Sequence, residues 1–586
     1  MPIVHSPRWL AAGAMAAGLA VVSCVSGYKA HTKEPAIARL RRPVAMALAE
    51  NGKWLFVANR ASGTVSVIDA EKSRVVGETE VGRGLSDLSP TPDEKHLLAV
   101  DEAAGDLILL ARAGPALEVA ARIPAGTSPV AVRSTPDGKY GLVTSLWSRQ
   151  LLVVYLAGKP QVKKAVGLPF APRLLLPIAD TNKVVVADAF GGKLAVVDIA
   201  EAKADSVRSL PAHQIRGLAW SADGKQLLIT HQVLHAEAHT TRADIHWGNL
   251  IVNYVRALSR DQLLNPDADL LKGSRTFPLG DVGHGTGDPA AIAVGPDGTR
   301  VVALAGVGEV ALGSEKEDWT YLSAGRRPTA VALDTPRHRA MITNTFSDSV
   351  TVVDVARKQK QTEIALGTQP ELKPSERGDV LFFDAKLSHE GWLSCNSCHT
   401  DGHTNGLLND NLSDGSFGTP KRVLSLLGVR DTPPWAWNGG VTELKDQIRK
   451  SLEVTMRGDK PTDEQVQDLE AFLKTLSPPP PLQSEGATNK DAARRGKDVF
   501  KQLGCANCHT PPTYTSAKTY DVGLVDEAGN KTFNPPSLRG VGQAGPYFHD
   551  NRAATLEDVF TAHRHQLKAE LTKEGLADLL SFLRTL

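Results

Sequence analysis

Between residues 40 and 370 the chain repeats one short pattern, a turn of Asn/Asp-Gly-Lys type followed by an apolar strand. The first three copies begin at Asn51, Asp93 and Asp137, which are 42 and 44 residues apart. Each copy continues into short alternating runs that suit β-hairpins with one buried face. A period of about 40 to 45 residues with four short strands is the size of a propeller blade. Later copies begin at Asp223 and Asp297, with degenerate copies at Thr181-Asn182-Lys183 and near Arg337-His338.

Seven copies predict an all-β, seven-bladed propeller over residues 40–370, and a generic array of β-sandwich repeats is the alternative. The composition agrees, because the 586 residues include 51 Gly and 36 Pro but only 5 Cys. Frequent turn residues without dense disulfides indicate many short strands. Lys plus Arg number 66 and Asp plus Glu 65, so the charge balance gives no reason to expect a nucleic-acid partner.

Two of the repeat segments, "LFVANRASGTVSVID" and "AMITNTFSDSVTVVDV", closely resemble the YVTN-type propellers of bacterial surface and periplasmic proteins. The resemblance covers all seven copies. It implies that the propeller is a platform that binds a partner.

The fifth copy carries an insertion near residues 229–281 with four histidines in a short stretch. Imidazoles suit zinc or copper, so the insertion is one place for a metal. The other interpretation, which we favour, is a long loop that docks beside the C-terminal part of the chain. The four histidines are His231, His235, His239 and His246.

The remaining part of the chain contains two C-x-x-C-H motifs, Cys395 to His399 and Cys505 to His509. Two thiols one helical turn apart can add to the two vinyl groups of one haem, while the adjacent histidine reaches the iron. The spacing predicts two covalently bound c-type haems on Cys395, Cys398, Cys505 and Cys508, with His399 and His509 as iron ligands. A four-cysteine zinc site or two local disulfides are the alternatives, and both leave the histidines unexplained.

Each motif follows one helix and precedes an amphipathic helix that ends in Phe-Leu-x-x-Leu, as in class I cytochrome c folds. We therefore predict a mainly α-helical cytochrome domain at residues 371–476 and a second at residues 483–586. The proline-rich segment 477–482 between them is expected to be a stiff linker.

The phrases "LFFDAKLSHEGWLSCNSCH", "WAWNGG" and "PSLRGVGQAGPYFHD" strongly resemble the bacterial di-haem cytochrome c peroxidase family, which includes MauG. The resemblance spans residues 378–586. It implies a peroxide-reactive first haem and an electron-reservoir second haem. It also implies a small periplasmic cytochrome or cupredoxin as electron donor, a protein substrate if the activity is MauG-like, and a calcium ion that no spacing here locates.

The same resemblance points to individual side chains. Glu453 is the nearest match to the family's acid-base glutamate, and a solvated helix carboxylate is the alternative. Trp437 matches the tryptophan between the haems, where an indole can relay an oxidising equivalent, and core packing is the alternative.

Sixth iron ligands are harder to assign, because no Met follows Met456. His563 occupies the position of the family's methionine ligand, which predicts bis-histidine ligation of the second haem. Tyr547, His549 and His565 are further candidates. On the first haem, His403 is a weak candidate and is otherwise a loop residue.

The N-terminus resembles an export signal, with Arg8 before an apolar run that ends at Val21-Val22-Ser23-Cys24. Small residues before a lone cysteine are similar to a lipobox, which implies a signal peptide at residues 1–23 and a lipid anchor on Cys24. An ordinary signal peptide is the alternative. The sequence thus predicts a protein of the periplasm or cell envelope, held by lipid at the outer membrane.

The function expected from these features is a di-haem oxidoreductase that reduces hydrogen peroxide or uses it to oxidise a partner. A non-catalytic di-haem electron carrier is the first alternative, favoured by "WNGG" and the missing methionine. A propeller binding protein with redox-sensing haems is the second.

Overall fold

The computed structural model describes residues 38–412, 415–482 and 490–586. The predicted signal peptide and the lipidated Cys24 lie outside the described residues. Within them, no helix is both long enough and apolar enough to cross a membrane.

Residues 43–365 form seven four-stranded antiparallel sheets, each built from four consecutive strands. The predicted all-β propeller with seven blades is confirmed. The first four blades contain β1 Pro43–Ala49, β2 Trp54–Asn59, β3 Thr64–Asp69, β4 Arg74–Glu80; β5 Leu85–Pro90, β6 His96–Asp101, β7 Asp106–Ala113, β8 Ala116–Pro124; β9 Pro129–Ser134, β10 Tyr140–Ser145, β11 Gln150–Tyr155, β12 Gln161–Gly167; β13 Pro172–Ile178, β14 Lys183–Asp188, β15 Lys193–Asp198 and β16 Lys203–Ser209. The last three contain β17 His213–Trp220, β18 Gln226–Leu234, β19 Ile251–Ser259, β20 Arg275–Pro278; β21 Pro289–Val294, β22 Arg300–Leu304, β23 Glu309–Gly313, β24 Thr320–Ser323; β25 Pro328–Asp334, β26 Arg339–Asn344, β27 Ser349–Asp354 and β28 Gln359–Ala365.

The repeated Asp-Gly-Lys turn joins the first and second strands of a blade. In the third blade, Asp137 Oδ1 accepts hydrogen bonds from Thr135 Oγ1 at 2.6 Å and from the Lys139 amide at 3.1 Å. Gly138 has a φ of +69°, the left-handed conformation that glycine adopts without steric cost. The side-chain hydrogen bond from Thr135 lowers the pKa of Asp137, which keeps the carboxylate ionised as an acceptor. The motif therefore forms the turn between two strands, and it repeats because each blade needs the same turn.

A buried carboxylate is one of the groups that close the propeller ring between its last and first blades. Asp348 Oδ2 and Oδ1 accept the backbone amides of Arg41 and Arg42 at 2.8 and 2.7 Å. Asp348 is fully buried, so both of its bonds are shielded from water. The closure thus uses one side chain to satisfy two amides ahead of β1.

The insertion in the fifth blade separates β18 from β19. It contains the short helix α1 Arg242–His246, and the helix α2 Arg260–Leu264 follows β19. Thr241 caps α1 by accepting the Asp244 amide at 3.0 Å, and Ile245 on this helix is buried against the C-terminal part of the chain. The insertion docks there, as we expected.

The C-terminal part is mainly helical, as predicted. Its helices are α3 Pro374–Phe382, α4 Cys395–Cys398, α5 Leu444–Lys450, α6 Asp463–Leu473, α7 Lys490–Gln502, α8 Asp558–Thr561 and α9 Lys573–Leu583. Two short hairpins, β29 Leu408–Asn409 with β30 Lys421–Arg422 and β31 Tyr520–Asp521 with β32 Thr532–Phe533, complete it.

The same helix crossing occurs twice. In the first segment α3 packs on α6, Arg377 Nε donates to Asp468 Oδ2 at 2.7 Å, and Gly378 lies against the Asp468 carbonyl. In the second segment α7 packs on α9 with equivalent contacts. These contacts join Arg495 Nε to Asp578 Oδ2 at 2.7 Å and place Gly496 against the Asp578 carbonyl. The two segments are therefore two copies of one cytochrome c-like unit.

Candidate haem sites

The first motif forms the one-turn helix α4, and the propeller holds its N-terminal end. Asp288, just before β21, accepts hydrogen bonds from Ser397 Oγ at 2.6 Å and from Ser394 Oγ. Gln214 Nε2 donates to the same carboxylate at 2.9 Å, and His213 Nε2 lies 3.0 Å from the Ser397 carbonyl oxygen. Asp288 binds the serine side chains of α4 and no backbone amide, and its negative charge is favourable near a helix N-terminus. The propeller thus fixes the segment on which Cys395 and Cys398 lie.

His399 is oriented by a single backbone contact. Its Nδ1 lies 2.8 Å from the Leu424 carbonyl oxygen, so Nδ1–H is the donor and Nε2 keeps its lone pair. Burial lowers the pKa of His399 to about 4, although the Leu424 carbonyl opposes this shift. A neutral imidazole with a free Nε2, held by a carbonyl, is the form that binds a metal ion.

A cavity of about 290 Å³ opens beside Cys395, Cys398 and His399. Its wall is mostly apolar, which suits a haem macrocycle. Together with the orientation of His399, this wall fits the predicted covalent haem. The apolar lining residues include Phe382, Leu393, Leu444, Ile448, Leu469 and Leu473.

Glu453 is not part of this wall, contrary to its predicted acid-base role. α5 continues into a π-helical turn, Ser451–Thr455, and the residues that face the cavity follow helical spacing. Glu453 lies between them in the sequence, is half-buried and does not line the cavity. Among the described residues, the cavity wall contains no aspartate or glutamate. The cavity-facing residues of this stretch are Leu444, Gln447, Ile448, Ser451, Leu452, Thr455 and Met456.

His403 also lines the cavity, but neither of its ring nitrogens is free. Nδ1 lies 2.9 Å from Ser425 Oγ and Nε2 lies 3.2 Å from the Gln543 carbonyl oxygen. The ring packs against Trp147 and Phe190 of the propeller, at centroid distances of 5.6 and 4.7 Å. These contacts oppose the predicted role of His403 as a sixth ligand, since binding iron requires a free lone pair.

The second motif is arranged similarly, although it forms a single 3₁₀ turn, Cys505–Asn507. His509 Nδ1 lies 3.1 Å from the Tyr514 carbonyl oxygen, so this histidine also keeps Nε2 free. Burial lowers the pKa of His509 to about 4, and the nearby charge of His565 contributes in the same direction. The second histidine is therefore oriented and neutral like the first, as an iron ligand must be.

Among the candidate sixth ligands of the second haem, His565 is placed better than His563. His563 Nε2 lies 3.0 Å from the Arg552 carbonyl oxygen, so only its Nδ1 has a lone pair available to iron. His565 is close enough to His509 to lower its pKa, and burial lowers the pKa of His565 itself. Tyr547 is engaged elsewhere, because its hydroxyl donates to the Val541 carbonyl at 2.8 Å.

Trp437 lies where the two cytochrome segments meet. Its indole Nε1 donates to the Arg422 carbonyl at 2.8 Å, and the Arg422 amide donates to the His549 carbonyl at 2.6 Å. The Trp437 and His549 rings approach edge to face at 6.3 Å. The loops that carry them are equivalent, since Ala436 and Phe548 have φ values of +67° and +68°. Trp437 also lines the first cavity.

The structure does not support the zinc alternative for the cysteines. Cys395 packs in the core of the first segment and Cys505 in that of the second. In the part of the chain that the structure describes, the one group of three or more residues suited to a metal contains no cysteine. That group has a single carboxylate, so the calcium ion implied by the resemblance gains no support.

Sequence reasoning missed Asp288 and Arg422. Asp288 lies 109 residues before Ser397 in the chain, and no local pattern links them. Arg422 takes part through its backbone, which leaves no signature in residue type.

Comparison with known proteins supports the assignment of the C-terminal part. Residues 374–482 match the family described as di-haem cytochrome c peroxidase. The cytochrome c551 peroxidase of Nitrosomonas europaea is 28% identical over 270 residues, which are 36% of this chain and 79% of the relative. The methylamine utilization protein MauG of Methylorubrum extorquens is 27% identical over 277 residues, 36% of this chain and 76% of the relative.

Among solved structures, a chain of the Kuenenia stuttgartiensis hydrazine synthase matches with a TM-score of 0.48 and 20% identity. The match covers 56% of this chain and 99% of the other.

Proposed function

We propose that this chain is a di-haem c-type oxidoreductase of the peroxidase type, whose two haems exchange electrons across the junction at Trp437. One observation carries the proposal. Each C-x-x-C-H motif presents a half-buried, neutral histidine whose Nδ1 contacts a backbone carbonyl, at 2.8 Å for His399 and 3.1 Å for His509. The match of residues 374–482 to the di-haem peroxidase family supports the same conclusion.

Haem bound at each site would supply an iron centre that exchanges single electrons and, where one face is open, reacts with a small oxidant. The chain's own residues bind and orient it. Cys395 and Cys398 would hold the first haem, and Cys505 and Cys508 the second. The Leu424 and Tyr514 carbonyls fix the two histidine rings. The apolar wall of the first cavity excludes water, which strengthens electrostatic interactions inside it.

Electron exchange between the two sites would use the junction of the cytochrome segments. Trp437 lines the first cavity and contacts His549 of the second segment. The Arg422 backbone bonds to Trp437 on one side and to His549 on the other, which holds both groups in place. This arrangement favours the relay role of Trp437 over simple packing.

Peroxide is the oxidant we propose for the first site. Gln447, Ser451 and Thr455 are the polar groups on its α5 wall and can donate or accept hydrogen bonds to a bound peroxide. The second candidate function is electron transfer without catalysis. It is favoured by the same wall, because proton movement during O–O cleavage needs an acid-base group and the described wall has no carboxylate.

The test mixes the purified di-haem protein with hydrogen peroxide after reduction by one electron. Peroxidase function predicts stoichiometric loss of peroxide and reoxidation of the reduced haem, with a high-spin haem in the starting spectrum. The Glu453→Gln variant should react like the wild type, because Glu453 does not line the cavity. Two low-spin haems that leave peroxide unconsumed would contradict peroxidase function and support electron transfer.

Partners and location follow from the same proposal. The tip of the second motif is exposed at Asn507, Thr510 and Pro511, which suits docking of a small cytochrome or cupredoxin donor. Attachment of c-type haem outside the bacterial inner membrane requires export, and Cys24 would then anchor the protein by lipid. We place the binding site for a protein partner on the propeller face that lies away from the cytochrome segments. If the haems sense redox state, the partner would bind with different affinity to the oxidised and the reduced protein.

A further inference from the structure

A cluster of two imidazoles and a carboxylate forms where the propeller insertion meets the first cytochrome segment. The cluster consists of His246, His389 and Glu390, each with one ligand atom within 4.8 Å of the others. His246 Nδ1 lies 2.8 Å from Glu390 Oε1, and His389 Nε2 lies 3.7 Å from the same oxygen. His246 is one of the four insertion histidines noted in the sequence, and its partners are contributed by the cytochrome segment.

We propose that these three residues bind a zinc ion that joins the propeller insertion to the first cytochrome segment. Two histidine nitrogens and one carboxylate, with a water in the fourth position, are a common tetrahedral zinc set. Ligand atoms around a zinc ion with bonds of about 2.0–2.1 Å lie roughly 3.3 Å apart. The two measured separations, 2.8 and 3.7 Å, lie on either side of that spacing.

The backbone positions the ligands before any ion binds. The Gly285 amide donates to the Glu390 carbonyl at 2.8 Å, and the Gly283 amide donates to Glu390 Oε2 at 3.1 Å. The His389 amide donates to the Met456 carbonyl at 3.0 Å. On the propeller side, the capped helix α1 carries His246 as its last residue. Little reorganisation is needed to close the site, which favours binding.

Exposure of the three side chains also suits a metal with one open position. They are 34%, 23% and 21% exposed for His246, His389 and Glu390, so water can reach the cluster while most of each ring is covered. A simple ion pair would account for His246 and Glu390. His389 Nε2 adds a second imidazole nitrogen near the same oxygen, at 3.7 Å, which is within ion-pair distance but too long for a hydrogen bond.

The site would be coupled to the first haem cavity. His389 bonds through its amide to Met456, and the Met456 side chain lines that cavity. Zinc binding would therefore restrain the wall that faces His399.

The test measures zinc and iron together in the full-length di-haem protein after dialysis against micromolar zinc. The two haems provide an internal count, so the expected ratio is one zinc to two irons. His389→Ala is the discriminating variant, and it should lower zinc affinity by more than the roughly 10- to 100-fold seen for outer-shell partners. His246→Ala should do the same. His239→Ala is the matched control, because His239 lies in the same insertion and pairs with Asp410 at 3.6 Å without a third ligand.

X-ray absorption spectroscopy at the zinc edge identifies the zinc ligands directly in the wild-type protein, without a variant. Two imidazole nitrogens with one or two oxygens, at zinc bond lengths of about 2.0–2.1 Å, are expected. Absence of retained zinc, sulfur ligation, or equal zinc content in the wild type and His389→Ala would overturn the proposal. Unchanged iron content and haem spectra would verify that each variant is folded.

Discussion

At the scale of single residues, the histidines of the second haem site differ in how close they lie to the predicted iron ligand His509. His563 Nε2 contacts the Arg552 carbonyl oxygen at 3.0 Å. His565 lies near His509, lowers its pKa, and has its own pKa lowered by burial. We therefore propose His565, a neutral ring near the iron ligand, as the sixth ligand, while the sequence-based choice of His563 stays an untested prediction.

Substitution of His565 tests this assignment. His565→Ala should convert the second haem from low-spin to high-spin and raise its reduction potential, because a strong axial ligand is removed. His563→Ala should leave both properties unchanged. Electron paramagnetic resonance and redox titration of the two variants measure them, and a spin change in His563→Ala alone would refute the assignment.

Trp437 and Trp435 form a second pair of comparable residues, since both line the first cavity. Trp437 bonds to Arg422 and contacts His549, whereas the Trp435 indole donates to the Val429 carbonyl at 3.3 Å within its own segment. Because only Trp437 contacts the second segment in this way, substitutions of the two tryptophans can distinguish a relay role from simple packing.

Trp437→Phe should slow electron transfer between the haems by about tenfold or more, which corresponds to about 1.4 kcal/mol in the barrier. Trp435→Phe removes a similar volume from the same cavity and should leave the rate nearly unchanged. Flash-photolysis or stopped-flow reduction of one haem measures the rate. Equal rates in Trp437→Phe and the wild type would rule out the relay.

At the scale of elements, each cytochrome segment depends on close contact between its first and last helices. A Cβ added at Gly378 would lie 1.9 Å from the Asp468 carbonyl oxygen, and one at Gly496 would lie 1.9 Å from that of Asp578. Carbon and oxygen atoms cannot approach so closely, so both crossings require glycine.

Gly496→Ala should therefore destabilise the second segment by about 2 kcal/mol through overpacking of the α7–α9 crossing. Lys497→Ala, at the next and exposed position of α7, is the control and should have little effect. Thermal unfolding followed by the absorbance of the second haem compares them, and equal midpoints would contradict this account of the crossing.

At the scale of the whole molecule, Asp401 joins the cytochrome part to two propeller strands. Its carboxylate accepts hydrogen bonds from Arg216 Nη2 at 2.8 Å and from Arg173 Nη2. Burial raises the pKa of Asp401, but the guanidinium groups of Arg173 and Arg216 outweigh it and hold that pKa well below its usual value. The contact therefore contributes stability above the pKa of the unfolded chain, about 3.9, and loses it as pH falls further.

Asp401→Asn should lower the thermal midpoint of the full chain at pH 7, because it leaves two partly buried guanidinium groups without their counter-charge. The difference between variant and wild type should shrink below about pH 4, because there the Asp401 carboxylate of the unfolded chain takes up a proton while that of the folded chain stays ionised. Asp401 lies two residues from His399, so calorimetry is combined with the haem spectrum to confirm that the first site stays intact. A difference that stays constant from pH 7 to pH 3 would contradict the role of this charge.

The sequence by itself determined the seven-bladed propeller, the two cytochrome-like units and the residues that would attach haem. These features depend on residues that are close together in the sequence. Asp137 and Gly138 form their turn locally, and the spacing of Cys395 to His399 is set within one helical turn. The tertiary structure decided which distant groups meet. Glu453 does not line the cavity, Asp288 reaches α4 from the propeller, and His246 meets Glu390 across 144 residues. Such contacts depend on how folded elements pack against one another, which no local pattern in the sequence encodes.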